Sequence, residues 1–259
     1  MLKIIKNMKY SIEDLIQIMN ELRDKCPWDK KQTFDSLKTL TIEETYELIE
    51  AIDKEDYNEI KEELGDLLLH VVFYSKIASE INQFNFDDVV ESLVKKLIYR
   101  HPHIYSDEKV NNEDDVKKNW EKLKSKKSNK GILEGVPNNL PTLIRTIRVQ
   151  EKVAAVGFDF KNIDDSINKV IEEYNEFSEA LIDKEKSKIE EEFGDLLFSL
   201  VNYSRHKGID SNESLKKSTN KFISRYKKLE EIIENKKTTI DKLDENEVNS
   251  IWEMVKKMD

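Results

Sequence analysis

The chain of 259 residues carries 43 Lys and Arg against 53 Asp and Glu, a formal net charge of −10 at pH 7 that disfavours direct binding of duplex nucleic acid. Its longest apolar runs, such as residues 67–69, fall far short of the roughly 20 residues a membrane helix needs. Six Gly, four Pro and 8% aromatic residues argue against a strand-and-turn architecture, so an all-α fold with length enough for two cores is expected.

The first residues, MLKIIKNMKYSIEDL, lack the apolar core of a signal peptide, and a single cysteine, Cys26, can form no intramolecular disulfide. Both point to a cytoplasmic protein, with Cys26 as a small buried side chain. Ser11 followed by Asp14 signals a helix start ahead of Ile12, Leu15, Ile16 and Met19. Helices are predicted next over residues 36–52, 57–81 and 86–100. His101 and His103 flank Pro102; a turn with hydrogen-bonded imidazoles is expected there in preference to a transition-metal site. A short closing helix is predicted over residues 114–123.

Residues 125–141, SKKSNKGILEGVPNNLP, hold two of the six glycines and two of the four prolines. That stretch reads as a linker between a first helical domain, residues 1–124, and a second, residues 142–259. In the second, helices are predicted over residues 163–182, 187–205, 212–234 and 246–258.

The two domains repeat each other. At an offset of 129, residues 41–75 align with 170–204 without a gap, with 16 identities in 35 positions, the mark of an internal duplication. EELGDLLLHVVFYS from Glu62 falls on EEFGDLLFSLVNYS from Glu191. KLIYR from Lys96 has its echo in KFISR from Lys221, WEKLK from Trp120 in WEMVK from Trp252, and CPWD from Cys26 in VGFD from Val156.

Within the repeat, Leu67, Leu68, Leu69, Val71 and Val72 point in nearly every helical direction, the signature of a buried helix, while Glu63 and Asp66 share one face of it. Paired carboxylates entering an interior need a positive partner. Glu44 and Glu47 on the preceding helix supply a second i,i+3 pair. The second copy repeats all four as Glu173, Glu176, Glu192 and Asp195. Packed antiparallel, two such helices converge four carboxylates on one volume, with Ala180 leaving room on the same face and Gly194 expected to permit close helix approach. Oxygen-only donors suit a hard cation, Mg²⁺ first and Mn²⁺ second. The competing reading is a solvated acidic face. A di-iron centre would need Glu-x-x-His, and no histidine has a glutamate three places before it.

Lys221 and Arg225, at i,i+4, are either a solvated basic face or phosphate ligands. Trp120 and Trp252 are either helix anchors in the core or, with Lys256 one turn beyond Trp252, a base-stacking and phosphate-binding pair. One, two and three turns beyond the shared aspartate, the first copy has His70, Phe73 and Ile77 and the second has Ser199, Asn202 and His206. The second face stays polar, so the second copy is expected to be the catalytic one and Asn202 a substrate contact, the alternative being that the trio meets solvent or satisfies itself. Apolar positions such as Leu196, Leu200 and Tyr203 have too little to pack on within one copy, which predicts a homodimer.

EExxE at Glu172–Glu176, ExxD at Glu192–Asp195, the following LL, and CPWD, QTF, EETYE, ELGDLL and RHPH in the first half resemble the two-domain MazG nucleoside triphosphate pyrophosphohydrolases over nearly the whole chain, the GVPNNLP linker included. The resemblance implies tandem all-α pyrophosphatase bundles, dimerisation, Mg²⁺ dependence, and hydrolysis of nucleoside triphosphates to monophosphate and pyrophosphate. It implies Glu173, Glu176, Glu192 and Asp195 as metal ligands and Lys221, Arg225, Trp252 and Lys256 as substrate contacts. A quartet glutamate or Glu172 is then the proton acceptor. Glu44, Glu47, Glu63 and Asp66 form an equally intact first-copy set. A narrow, dUTPase-like specificity and a non-catalytic nucleotide-sensing module are the alternatives.

Overall fold

A computed structural model describes residues 9–106 and 131–258. The described residues form helices and no strands, and they divide into two compact units. None of the described helices is long and apolar enough to cross a membrane.

The first unit contains α1 (Ile12–Lys25), α2 (Phe34–Asp53), α3 (Tyr57–Glu80), α4 (Phe86–Arg100) and a single-turn α5 (Pro102–Tyr105). Short polar side chains start the helices by taking up orphan backbone N–H groups: Ser11 with Asp14, Thr33 with Ser36 and Asn85 with Asp88 form reciprocal caps, each worth about 1 kcal/mol. The core lies among α1, α2 and α3, where Met19, Leu37, Val72, Phe73 and Ile77 pack with Leu40 and Leu69 against them. Arg23 ties α1 to α3 by donating from Nε to Glu80 Oε1 at 3.1 Å. His101 Nδ1 lies 2.7 Å from Leu97 O, so that imidazole is hydrogen-bonded as expected, while Pro102 and His103 open α5 and do not form the expected turn. Cys26 is half-buried rather than buried.

The second unit contains α6 (Thr142–Ala154), α7 (Ile163–Asp183), α8 (Lys186–His206), α9 (Ser211–Asn235) and α10 (Glu245–Lys256). Asn162, Asp210 and Asp244 cap α7, α9 and α10. Leu229, Ile233, Ile251 and Val255 form a core between α9 and α10. Of the expected linker, residues 131–141 are described: a 3₁₀ turn at Ile132–Gly135 is fastened to α6 by Lys152 Nζ donating to Ile132 O at 3.1 Å. The helix expected over 114–123, Trp120 and the remainder of the linker lie outside the described residues.

Each predicted helix within the described residues is present, with ends within two residues of the expected ones. Helix α6 was not predicted. It opens on Pro141, which offers no side-chain cap, and the signal that could have found it was the repeat itself, since α1 stands in the same place in the first copy. The turns joining α2 to α3 and α7 to α8 repeat in detail, each holding a non-glycine residue in the left-handed region at the matched position, Glu55 at φ 55° and Lys184 at φ 60°.

Two packing expectations need correction. Helix α3 is not buried all round: Leu64, Leu68 and Val71 are exposed, as are Phe193, Leu197 and Leu200 on α8. The other helices of each unit do not supply enough surface to enclose α3 or α8 on every side. Gly194 does not serve a close approach among the described residues either, because a Cβ built there, or at Gly65, meets none of them within 4 Å. The tight packing instead falls on the alanines, Ala51 and Ala180, both fully buried.

Candidate active site

Each copy builds its acidic site on a helical hairpin, and spacing of three places each carboxylate pair on one helix face. In the second copy, carboxylate oxygens of Glu173, Glu176 and Glu192 all lie within 4.8 Å of one another. Asp195 and Glu173 line a cavity of about 390 Å³. In the first copy the convergent set is Glu44, Glu63 and Asp66, again within 4.8 Å. Glu47 lies near enough to Glu63 for its charge to raise the Glu63 carboxyl.

The carboxylates repel. Burial, then the charges of Glu173 and Glu192, raise the Glu176 carboxyl above its ordinary range, with Lys169 opposing. In the first copy burial, followed by neighbouring carboxylates, raises both Glu44 and Glu63, and Glu63 Oε2 is buried with no hydrogen-bond partner. An all-oxygen set with surplus negative charge and an orphaned oxygen fits a hard divalent cation.

One positive partner is built into the second copy. Lys169, one turn before Glu173 on α7, donates to Glu172 Oε1 at 2.6 Å and Glu173 Oε1 at 2.7 Å, bonds that raise its own pKa. Sequence reasoning missed this residue, although its i,i+3 and i,i+4 spacing to Glu172 and Glu173 was legible. The matched first-copy position is Leu40.

The cavity extends from the carboxylates towards α6 and the turn ahead of α7. Its apolar walls are Val153, Phe158, Phe160 and Phe198, and its polar groups include Gln150, Ser199, Asn202 and Arg205. Asp159, from the VGFD stretch, organises the rim: its Oδ2 accepts from Arg205 Nη1 at 2.9 Å, and its Oδ1 lies 2.9 Å from His206 Nε2. Burial pushes the Asp159 carboxyl up, but the Arg205 and His206 contacts outweigh it and hold it below its ordinary range. Arg205 Nη2 donates to Asn202 Oδ1 at 2.7 Å, and Ser199 Oγ donates to Leu196 O at 2.9 Å. Of the polar trio on α8, Ser199 and Asn202 line the cavity, while His206 is engaged by Asp159 at its edge.

Lys221, Arg225, Trp252 and Lys256 are not among the cavity's lining residues. Lys256 pairs with Glu253. Trp252 packs on Phe222, ring centroids 5.4 Å apart, beside the α9–α10 core, as a helix anchor does.

The sequence model of the MazG nucleotide pyrophosphohydrolase domain matches residues 32–105 and again residues 162–230. A nucleoside triphosphate pyrophosphohydrolase of Escherichia coli strain K12 is 38% identical over 259 aligned positions, covering 96% of this chain and 98% of that protein. The nucleoside triphosphate pyrophosphohydrolase/pyrophosphatase MazG of Thermotoga maritima is 44% identical over 249 positions, covering 94% and 95%. Among solved structures, a mazG-related protein from Thermotoga maritima aligns with a TM-score of 0.39 at 26% identity, covering 44% of this chain and 98% of that one.

Proposed function

The chain belongs to the MazG nucleotide pyrophosphohydrolase family, and on that premise we propose that its second copy hydrolyses nucleoside triphosphates to monophosphate and pyrophosphate by water attack on the α-phosphorus. It is a nucleoside triphosphate pyrophosphohydrolase, a hydrolase of phosphoric anhydride bonds. The observation that supports placing the reaction in the second copy is the convergence of Glu173, Glu176 and Glu192 beside a cavity that also holds Lys169.

Glu173, Glu176, Glu192 and Asp195 are the residues that would hold a divalent cation, with Mg²⁺ as the first choice and Mn²⁺ as a substitute. Bound there, the ion would neutralise phosphate oxygens and lower the pKa of a water. The chain's own groups do the rest. Lys169 places positive charge beside Glu173 and draws an anionic substrate to the carboxylate end of the cavity. Glu172, outside the cation-binding set, more than half exposed and next to Lys169, accepts the proton of the attacking water. Lys221, Arg225 and Lys256 are the proposed phosphate contacts and Trp252 the proposed stacking group beside Lys256, a set that stands outside the cavity lining, and Asn202 meets the nucleoside.

A homodimer belongs to the same proposal. Phe193, Leu197 and Leu200 on α8 and Leu215, Phe222 and Ile223 on α9 are exposed, and a second copy would cover them. A light-scattering mass near the 30.6 kDa of one chain would remove it.

Phosphorus NMR of the protein with a nucleoside triphosphate and Mg²⁺ tests the reaction, since it reads both turnover and the bond broken. Monophosphate and pyrophosphate are expected; diphosphate with orthophosphate would reassign the attacked phosphorus.

A further inference from the structure

Residues 155–162 join α6 to α7 and carry two walls of the second-copy cavity, Phe158 and Phe160. Phe158 is 79% exposed, so its own packing does little to fix it, and Gly157 before it lies in the left-handed region at φ 92° and has no side chain to pack. Backbone bonds from Val156, Gly157 and Phe158 fasten the first half of the segment to α6. Its attachment to α8 runs through Asp159, between the two aromatics. Arg205 donates to that carboxylate with both terminal nitrogens, Nη1 to Oδ2 at 2.9 Å and Nη2 to Oδ1. Oδ1 also lies 2.9 Å from His206 Nε2 and accepts from Phe160 N at 2.9 Å. Fork-to-fork pairing of guanidinium and carboxylate fixes orientation as well as distance. Phe160 in turn rests beside the His206 ring, centroids 6.1 Å apart.

The same contact reaches the wall formed by α8. Arg205 Nη2 also donates to Asn202 Oδ1 at 2.7 Å, and since a guanidinium only donates, the amide oxygen of Asn202 faces Arg205 and its N–H₂ faces away. The side chains of Asp159, Arg205 and His206 are each three-quarters or more buried. Loss of the Asp159 carboxylate would leave the guanidinium largely desolvated without this counter-ion, so the arginine would have to shift or draw in water. Either response would release Asn202 and the turn together. None of the three belongs to the carboxylate set that would hold a cation.

The arrangement belongs to one copy. CPWD stands where VGFD stands, so Asp29 matches Asp159, but the residues matching Arg205 and His206 are Lys76 and Ile77. Ile77 packs in the core of the first unit, Lys76 pairs with Glu80, and Asp29 receives Arg23 on its backbone carbonyl. A contact needed by the fold alone would be expected in both copies, whereas this one occurs in the copy whose cavity its members line. We propose that Asp159 is a positioning residue of the second-copy site: through Arg205 it sets Asn202, and through its place in the turn it sets Phe158 and Phe160, so that the cavity is shaped before substrate arrives. The proposal rests on the nucleotide reading above and deepens it.

Two measurements on the full chain test it: steady-state rates with Mg²⁺ on the best substrate among the common nucleoside triphosphates, and calorimetric binding of the corresponding monophosphate, which does not depend on turnover. Asp159→Ala should raise KM and the monophosphate Kd about tenfold while kcat stays within about threefold. Asp159→Asn, which keeps the shape and one acceptor, should raise the same two constants by less. Arg205→Ala should match Asp159→Ala, and the double variant should bind no more weakly than the weaker single, because both changes break one contact. A merely structural residue would act otherwise: partial unfolding lowers the active fraction, so kcat falls while KM holds. That outcome overturns the proposal, as do unchanged constants in Asp159→Ala and additive losses in the double variant. Where the alanine variants do not fold, Asp159→Asn decides, and unchanged KM and Kd in it overturn the proposal. A wild type that binds nucleotide without hydrolysing it would unseat the hydrolase reading and leave the positioning role to be judged on Kd. Hydrolysis with KM and Kd untouched by Asp159→Ala would do the reverse, and a wild type that neither binds nor hydrolyses overturns both.

Discussion

The α2–α3 and α7–α8 hairpins carry the same four carboxylates at the same spacings, yet the side chains beside them differ at position after position. Leu37, Leu40, Phe73 and Ile77 in the first copy correspond to Ser166, Lys169, Asn202 and His206 in the second. The first group packs into the hydrophobic core of its unit. In the second, Lys169 and Asn202 line an open cavity, Ser166 satisfies itself on Ile163 O, and His206 is held by Asp159. Burying a Leu or Phe contributes about 1.5–3 kcal/mol, so the first copy uses these positions for stability while the second leaves two of them, Lys169 and Asn202, facing a cavity. On the proposed reading a duplicated ligand set does not make a duplicated active site, because the residues one turn away decide whether a substrate has room.

The sharpest way to break this comparison is to remove the carboxylates of one copy at a time. Glu192→Ala with Asp195→Ala should lower turnover about a thousandfold or more, the loss of several kcal/mol of transition-state stabilisation. Glu63→Ala with Asp66→Ala should leave most of it. Initial rates on variants with unchanged circular dichroism decide the matter; equal losses would mean that the copies act together, and the reverse order would assign the chemistry to the first.

Exchanging one matched pair sharpens it further. Asn202→Phe should fill the cavity, keep the fold and lower kcat/KM by at least about a hundredfold. Phe73→Asn, at a position 2% exposed, should cost about 3–5 kcal/mol in denaturant unfolding of the first unit and open no productive site. An Asn202→Phe protein with undiminished activity would show that the cavity is not where substrate binds.

The smallest expected effect concerns His70, buried against the first-copy site with Nδ1 unpartnered. Burial lowers its pKa, with Asp66 opposing. Because the folded value lies below the unfolded value of about 6.5, the unfolded state takes up the proton first. His70 therefore adds no penalty above that pH, and stability falls as pH drops through about 6.5 towards the folded value. His70→Leu should flatten the dependence of Tm on pH between about 7 and 5; an unchanged slope would assign the acid sensitivity elsewhere.

Much of this site was legible before any coordinates. The Glu-x-x-Glu and Glu-x-x-Asp spacings place their carboxylates on helix faces by periodicity alone, and the polar run Ser199, Asn202 and His206 marked the right face of α8. Lys169 was within reach of the same spacing argument, since it stands at i,i+3 and i,i+4 from Glu172 and Glu173. The pairing of Asp159 with Arg205 could not have been singled out, since nothing local joins two residues 46 positions apart.

Helix content, the duplication, the helix ends and the carboxylate set were determined by sequence, because capping, periodicity and i,i+3 spacing are properties of neighbours along the chain. Which of the four carboxylates converge and where the cavity lies were decided only by tertiary structure. Those outcomes depend on how α6 and the Asp159 turn pack on α7 and α8, and such packing joins residues as distant as Gln150 and Phe198, whose relation no local pattern records.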